Sequence, residues 1–342
     1  MIFVGDVSLP FKGAINYNLP EIMLDKNWVI NLEGGLVKDA SKYVKYNLVV
    51  NSVDAIEKIS QNHNINIALN NNHILDNGNF KKTETYLKKL DLKYFGAGKN
   101  LYEASKPFVN DSEKLVVLGF GWSVIECIYA TNKKSGVNPM EFDYVLSEFN
   151  KYKTKYSNYN IVCFFHWNYE LEKYPMPLHR FMAHKLIDMG CDGIIGLHPH
   201  RVQGFELYKN KPIVYSLGNW LFRQKYYRNG KLSFPNFCNL QLAFEFSSDG
   251  NHLFHFFDYD SATNQINYIK TENLKKNMLI KKTPFSNLTH LEYDKWFAKN
   301  RFQRKIIPIY HSKDSKITIN LKNKFNFFRT SFINLLVKYN LK

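Results

Sequence analysis

Cysteine is scarce in this 342-residue chain: Cys127, Cys163, Cys191 and Cys238 are scattered, with no CxxC pair. That argues against a disulfide framework and offers no zinc-finger spacing. Cys163 and Cys191 lie in or beside apolar runs, where a free thiol behaves as a small hydrophobe, and the pattern fits a reducing compartment. Acidic residues are also in short supply, 30 against 46 Lys+Arg, for a net charge of +16. Such an excess favours acidic partners such as nucleic acid, anionic lipid or a polyanionic polymer. Yet there is no arginine-rich arm, and the positive charge is spread over stretches such as "FKKTETYLKKLDLK" and "NLKKNMLIKK". We therefore read a general surface bias and expect no specific nucleic-acid partner. Long hydrophobic runs are missing as well. No stretch of about 18 uncharged apolar residues is present to span a bilayer, and "MIFVGDVSLP" lacks the basic and apolar regions of a signal peptide. These absences lead us to expect a cytoplasmic protein, with a peripheral place at the inner face of the membrane as the alternative. No internal repeat or low-complexity tract stands out.

What is present is material for a core. The chain is 45% apolar, with 27 Phe and 22 Tyr, which excludes long disorder. Strand-like runs ("IFVG", "WVINLE", "INIALN", "KLVVLGF", "NIVCFF", "DGIIGL", "PIVYSLG") alternate with helical patterns ("SVDAIEKISQ", "NFKKTETYLKKL", "EFDYVLSEFNKY", "LHRFMAHKLIDM"). Apolar strands interleaved with helices predict an α/β layered fold with a largely parallel sheet, whose ligands collect beyond the carboxyl ends of the strands. From about residue 236 the texture changes. "FCNLQLAFEFSSDGNHLFHFFDYD" alternates like an antiparallel hairpin turning at Asp249-Gly250, and helix-like segments follow at 288–305 and 323–342. We accordingly divide the chain into a main unit, 1–235, and a C-terminal elaboration, 236–342, packed on it. In the last segment Phe325, Phe328, Phe332, Leu335, Leu336 and Tyr339 recur at helical spacing among basic residues. Such a stripe is expected to pack on the domain, the alternative being an anionic membrane.

The strand ends carry the chemistry. "IFVG" is followed by Asp6, "WVINL" by Glu33, and "INIALN" by Asn71, Asn72 and His73. "NIVCFF" runs into His166, "DGIIGL" into His198 and His200, and "PIVYSLG" into Asn219. Singly, each has a plain explanation. Asp6 could cap a turn, Glu33 could be a solvated strand end, and "NNNHILDNG" could be turn chemistry. As a set, Asp, Glu, Asn and His recur at one end of successive strands, which a parallel sheet would bring to one edge. Mixed oxygen and imidazole donors without cysteine suit Zn, Mn or Fe, and leave room for two ions. His63, His179, His184, His290 and His311 lie on helices or loops and are read as structural.

The ordered blocks "GDVSL", "NLEGGL", "ALNNNHILDNG", "GAGKNLYEASKPF", "FFHWNYE" and "MGCDGIIGLHPHRVQGFELYKNKPIVYSLGNW" make residues 1–222 resemble the CapA family of capsule and poly-γ-glutamate synthesis proteins, a branch of the calcineurin-like metallophosphoesterase superfamily. The resemblance implies a four-layer α/β/β/α sandwich with two divalent ions at one sheet edge. By the same resemblance, Asp6 and His200 would hold the first ion, Glu33 would bridge, and Asn72, His166 and His198 would hold the second. His73 would assist the leaving group. Beside these ligands, Trp167 and Arg201 could wall the site and clamp an anionic group or, equally, be a core aromatic and a surface charge. Glu170 could fix an imidazole, and Asn219 stands close by. Two departures matter. The wider superfamily has a histidine where this chain has Ser8, and a GDxxD block where this chain has "NLEGG", so the first ion loses an imidazole and one ion alone could be firmly bound. The implied function is a metal-dependent hydrolase acting on an anionic polymer or its phosphorylated precursor in cell-surface polymer synthesis. A non-catalytic, metal-stabilised scaffold is the rival reading, and a nuclease a weaker one.

Overall fold

The computed structural model describes residues 1–11, 16–45, 48–227, 230–302 and 306–339. Two β-sheets face one another. The first has nine strands and is mixed. Ile2–Ser8 lies near its centre, parallel to Asn27–Leu32 on one side, which is in turn parallel to Asn64–Ala68. The second has six strands, with Lys211–Val214, Gly193–Leu197, Asn160–His166 and Leu115–Gly121 parallel and an antiparallel strand at each edge.

Side-chain alternation makes the layers. Phe3, Val29, Val117, Phe164 and Ile195 point inward and share one core between the sheets with Leu242, Phe244 and Phe254. Their chain neighbours Ile2, Val4, Ile30, Val116, Cys163 and Ile194 point outward into a core shared with helices. On the first sheet the cover includes helix Val53–Asn62, through Val53, Ile56 and Ile59. The second is covered by helices Phe142–Lys155 and Pro177–Asp188, through Val145, Phe149, Met182 and Leu186. The architecture is therefore α/β/β/α. Because both faces of the central strands are buried, their sequences read as unbroken apolar runs, and nothing in such a run says which of two sheets it joins.

Strands from both sides of residue 235 share the first sheet. Leu240–Glu245 pairs antiparallel with Ile2–Ser8, Phe3 opposite Phe244, and continues through Leu253–Asp260 to Gln265–Asn273. The expected turn is there, with Gly250 at φ 84° and Asp249 bonding the hydroxyl of Ser247. The strand at Gln265–Asn273 was not anticipated. Helix His290–Asn300 starts from a capping box between Thr289 and Glu292, and helix Lys316–Lys338 closes the described chain. The first is shorter than its sequence pattern and the second begins seven residues before its own; the tails of the two patterns at 303–305 and 340–342 lie outside the described residues.

Two strand assignments are corrected. The first strand does not end at Asp6 but runs on through it to Ser8. "PIVYSLG" is not a single strand ending at Asn219: the strand stops at Val214, and Asn219 begins a new one, Asn219–Phe222, in the other sheet. The chain crosses between sheets at Gly218 (φ 74°), whose carbonyl accepts from Asp6 N at 3.0 Å. Gly5 is needed here, because a Cβ on it would meet Gly218 O at 2.0 Å.

Candidate metal centre

Register builds the site. Asp6 lies level with Asn31 on one neighbouring strand and with Asn219 on the other. Both pairings shift register beside Asp6, the kind of bulge that re-aims side chains next to a site. Across the gap, His166 is the last residue of its strand, level with Leu197, and His198 follows. Ligand-type residues thus come from two sheets rather than from one parallel edge. Ser8 ends the same strand, two residues beyond Asp6 and past the register shift.

The six expected ligands converge. His166 Nε2 lies 2.8 Å from Asn72 Oδ1, 3.2 Å from His198 Nδ1 and 3.5 Å from Glu33 Oε1. His200 Nδ1 lies 3.2 Å from Asp6 Oδ2 and 2.9 Å from Asn219 Oδ1. One donor atom from each of Glu33, His166 and His198 fits within 4.8 Å of the others, a spacing that suits a divalent ion. Glu33 Oε1, His166 Nδ1 and Ser8 Oγ are buried without a hydrogen-bond partner among the described residues. Buried polar atoms are rarely left so, and a cation among oxygen and imidazole donors accounts for Glu33 Oε1. The residues present therefore fit a metal.

Charge arrangement follows the geometry. Burial alone would raise the Glu33 carboxyl, yet the imidazoles of His166, His73 and His200 hold it at about 2. Burial likewise opposes protonation of His200, but Asp6, with Glu33 and Glu170, pushes it up to about 9. His198 is driven well below its ordinary value by burial and by the neighbouring imidazoles, which favours the neutral form that ligates.

The backbone is forced at the same place. His198 has φ 88° and His200 φ 55°, with Pro199 between them. Left-handed backbone at a non-glycine residue costs on the order of 1–3 kcal/mol and persists only where the surroundings over-determine it. The turn is held by His198 N donating to Asp6 Oδ2 at 3.3 Å, by Leu171 N donating to Pro199 O at 2.9 Å and by the contact of His200 Nδ1 with Asn219. Asparagines fix the carboxylates and loops facing it. Asn31 Nδ2 donates to Asp6 Oδ1 at 2.8 Å and to Glu33 Oε2 at 2.9 Å. Asn71 donates to Leu32 O and accepts from Gly34 N and His73 N, and Asn51 donates to Glu33 O. Asn70, two residues past the strand Asn64–Ala68 of the first sheet, donates to Phe120 O and Phe164 O of the second.

A cavity of about 270 Å³ opens over the cluster, lined by Asn72, His73, Glu170, His198 and His200 on one side and by Asn326, Arg329 and Thr330 of the last helix on another. His73 Nδ1 is 2.9 Å from Asp76 Oδ2; burial works against its protonation, but Asp76 wins and raises it. Two expectations need correcting. Trp167 does not wall the cavity: it is fully buried, stacked between Phe165 and His179, with Nε1 donating to Tyr215 O, and it packs against Gly196 behind the histidine turn. Arg201 does not face the cluster either, because its guanidinium stacks on Phe237 at 4.1 Å and donates to Leu171 O. Reading the sequence missed Asn31 and Asp76, and named Asn71 without giving it a role. For Asn31 a signal existed, a polar residue two positions before Glu33 within a buried strand and so on the same face.

The fold and the cluster define a class: an α/β/β/α protein with a buried, mixed carboxylate, amide and imidazole site suited to divalent metal. Residues 9–224 match the model of the bacterial capsule synthesis protein PGA_cap family. The chain belongs to that family. It is 34% identical over 166 residues to the capsule biosynthesis protein CapA of Bacillus anthracis, a match covering 47% of this chain and 40% of that one. With the PGA biosynthesis protein CapA of Bacillus subtilis (strain 168) it is 31% identical over 163 residues, 46% of this chain and 42% of that one. The chain thus spans less than half the length of these relatives. A solved structure, NAD nucleotidase of Haemophilus influenzae, aligns with 88% of this chain and 51% of its own at 12% identity, but its TM-score of 0.32 is too low to bear on fold or function.

Proposed function

We propose that the protein is a divalent-metal-dependent hydrolase of the phosphoesterase type, acting in the synthesis of capsule, poly-γ-glutamate or another cell-surface polymer. The family and the names of its relatives support the process. The observation that supports the chemistry is the cavity over a buried Glu33, His166 and His198 cluster, with a protonatable His73 on its wall. Asp6 and His200 would hold one ion, Asn72, His166 and His198 a second, with Glu33 between them; Mn, Zn or Fe suits these donors. When bound, such ions polarise a phosphoryl oxygen and activate water at neutral pH.

The chain's own residues would do the rest. Asn31 fixes both carboxylates, so that Asp6 and Glu33 need not reorganise as metal enters. Asp76, bonded to His73 Nδ1, orients that imidazole and favours its protonated form, which suits proton donation to a departing oxygen. Glu170, on the cavity wall, acts electrostatically on His200. The substrate would be an anionic polymer or its phosphorylated precursor. Turnover of bis(p-nitrophenyl) phosphate that requires Mn or Zn and is lost in Glu33→Gln supports this reading, and metal-loaded protein with no turnover overturns it. One observation favours the rival of a non-catalytic, metal-stabilised scaffold: Ser8 stands where the wider superfamily places a ligating histidine, and its hydroxyl is buried without a partner among the described residues.

A further inference from the structure

The last helix, Lys316–Lys338, sets a mixed face on the protein, with Ile319 on the core and Ile333 toward the cavity, and turns an apolar face outward. Asn326 is buried, its amide donating to the hydroxyls of Tyr169 at 3.2 Å and Tyr310 at 3.0 Å, while Arg329 and Thr330 line the cavity. The opposite face carries Ile317, Leu321, Phe325, Phe328, Phe332 and Leu335, at steps of four, four, three, four and three residues. At 3.6 residues per turn these form one continuous stripe. Every member is between 45% and 74% exposed, and Phe327 beside them is 69% exposed. Of the stripe expected from the sequence, Phe325, Phe328, Phe332, Leu335 and Tyr339 are exposed and Leu336 is half-buried, so the expectation that it packs on the domain is reversed. A contiguous exposed patch of this kind marks a contact surface.

Charge selects the occupant. The helix contains no acidic residue and five basic ones, Lys316, Lys322, Lys324, Arg329 and Lys338, in a chain of net charge +16. Asp143 and Asp314 pair with Lys316 and Lys322 and Arg329 lines the cavity, which leaves Lys324 exposed beside the stripe. A second copy laid along the stripe would bring like charges together with no glutamate to offset them. Among the described residues no helix is long and apolar enough to cross a membrane, so this one is suited to lie on a surface and not to span it. We propose that the stripe seats the protein on an anionic lipid surface, the helix lying in the headgroup plane with the metal-site cavity on its other side. Aromatic side chains enter the interface and basic ones meet lipid phosphates, as in other amphipathic surface helices.

The test is flotation of the purified full chain with vesicles of phosphatidylcholine alone or with phosphatidylglycerol added. Binding is expected to the anionic vesicles, to weaken with salt, and to fall by at least about tenfold in a Phe328→Glu, Phe332→Glu variant. Leu321→Glu, on an adjoining part of the stripe, tests the same face independently if the double variant does not fold. Metal content should be unchanged in both variants, so a failure of the metal reading and a failure of this one are separable. Equal binding by wild type and variants, or no preference for anionic vesicles, overturns the proposal. So does a lipid-free dimer that the variants dissociate, which would assign the stripe to a second copy.

Discussion

Asn31→Ala is the sharpest perturbation of the site that removes no expected ligand. One buried amide donates to two buried carboxylates, Asp6 Oδ1 at 2.8 Å and Glu33 Oε2 at 2.9 Å. All three residues are fully buried, so water does not replace the lost donor. A hydrogen bond to a charged group is worth about 1.5–3 kcal/mol, and leaving an ionised acceptor unsatisfied sits at the upper end, so the variant should lose about 3–5 kcal/mol of stability in chelator. Asn66→Ala is the matched control, since its amide donates at 3.1 Å to the neutral carbonyl of Trp28 in the same sheet. That change should cost only about 1 kcal/mol. Urea unfolding in EDTA, followed by circular dichroism, measures both. Adding Mn or Zn should restore much of the Asn31→Ala loss, because a cation bound to the folded state takes over the carboxylates and stabilises by mass action. An Asn31→Ala penalty no larger than that of Asn66→Ala, or one untouched by metal, would refute the reasoning.

His200→Ala should lower bound metal more than His184→Ala, because His184 pairs with Glu206 on a helix remote in role from the cluster; elemental analysis of the two variants decides, and equal retention counts against His200 as a ligand. His73→Ala should keep its metal and lose turnover by roughly a hundredfold, the low end for general acid catalysis, with less effect on substrates bearing good leaving groups. Metal loss in that variant would make His73 a ligand instead. Metal binding should also release a proton near pH 7. His200 stands at about 9 without metal, so the metal-free protein gains stability from its protonation fully below the ordinary 6.5, and loses it as pH rises through about 9. A ligating imidazole must give that proton up, so apparent affinity should climb across the same window. Calorimetric titration in buffers of different ionisation enthalpy reads the release, and no proton released at pH 7 would remove His200 from the ligand set.

Much of this site is legible in the order of residues alone, because buried strands can expose polar residues only at their ends. Glu33, His166, His198 and His200 stand at or just past strand ends, Asn72 lies in the turn beyond one, Asp6 follows the apolar run but lies inside its strand, and all six converge. Partition of the strands between two sheets is not legible. An unbroken apolar run such as "NIVCFF" reports burial on both faces and says nothing of which sheet it joins. Asn31 escapes notice because it lies inside a strand, where an amide is unfavourable unless it is holding something. Trp167 and Arg201 are drawn to the site by adjacence to histidines, yet alternation sends Trp167 to the helix-covered face and Arg201 stacks on aromatics. The last helix makes the same point. Periodicity reveals that it has two faces, and only packing shows which one is covered.

The central claim is that this cluster is a metal site, and elemental analysis tests it most directly. The full chain, incubated with Mn, Zn and Fe(II) in turn and then dialysed, should retain about one to two ions, and Glu33→Gln and His166→Ala should retain far fewer. Wild-type protein that keeps no more ion than those two variants, for every metal offered, would contradict the account.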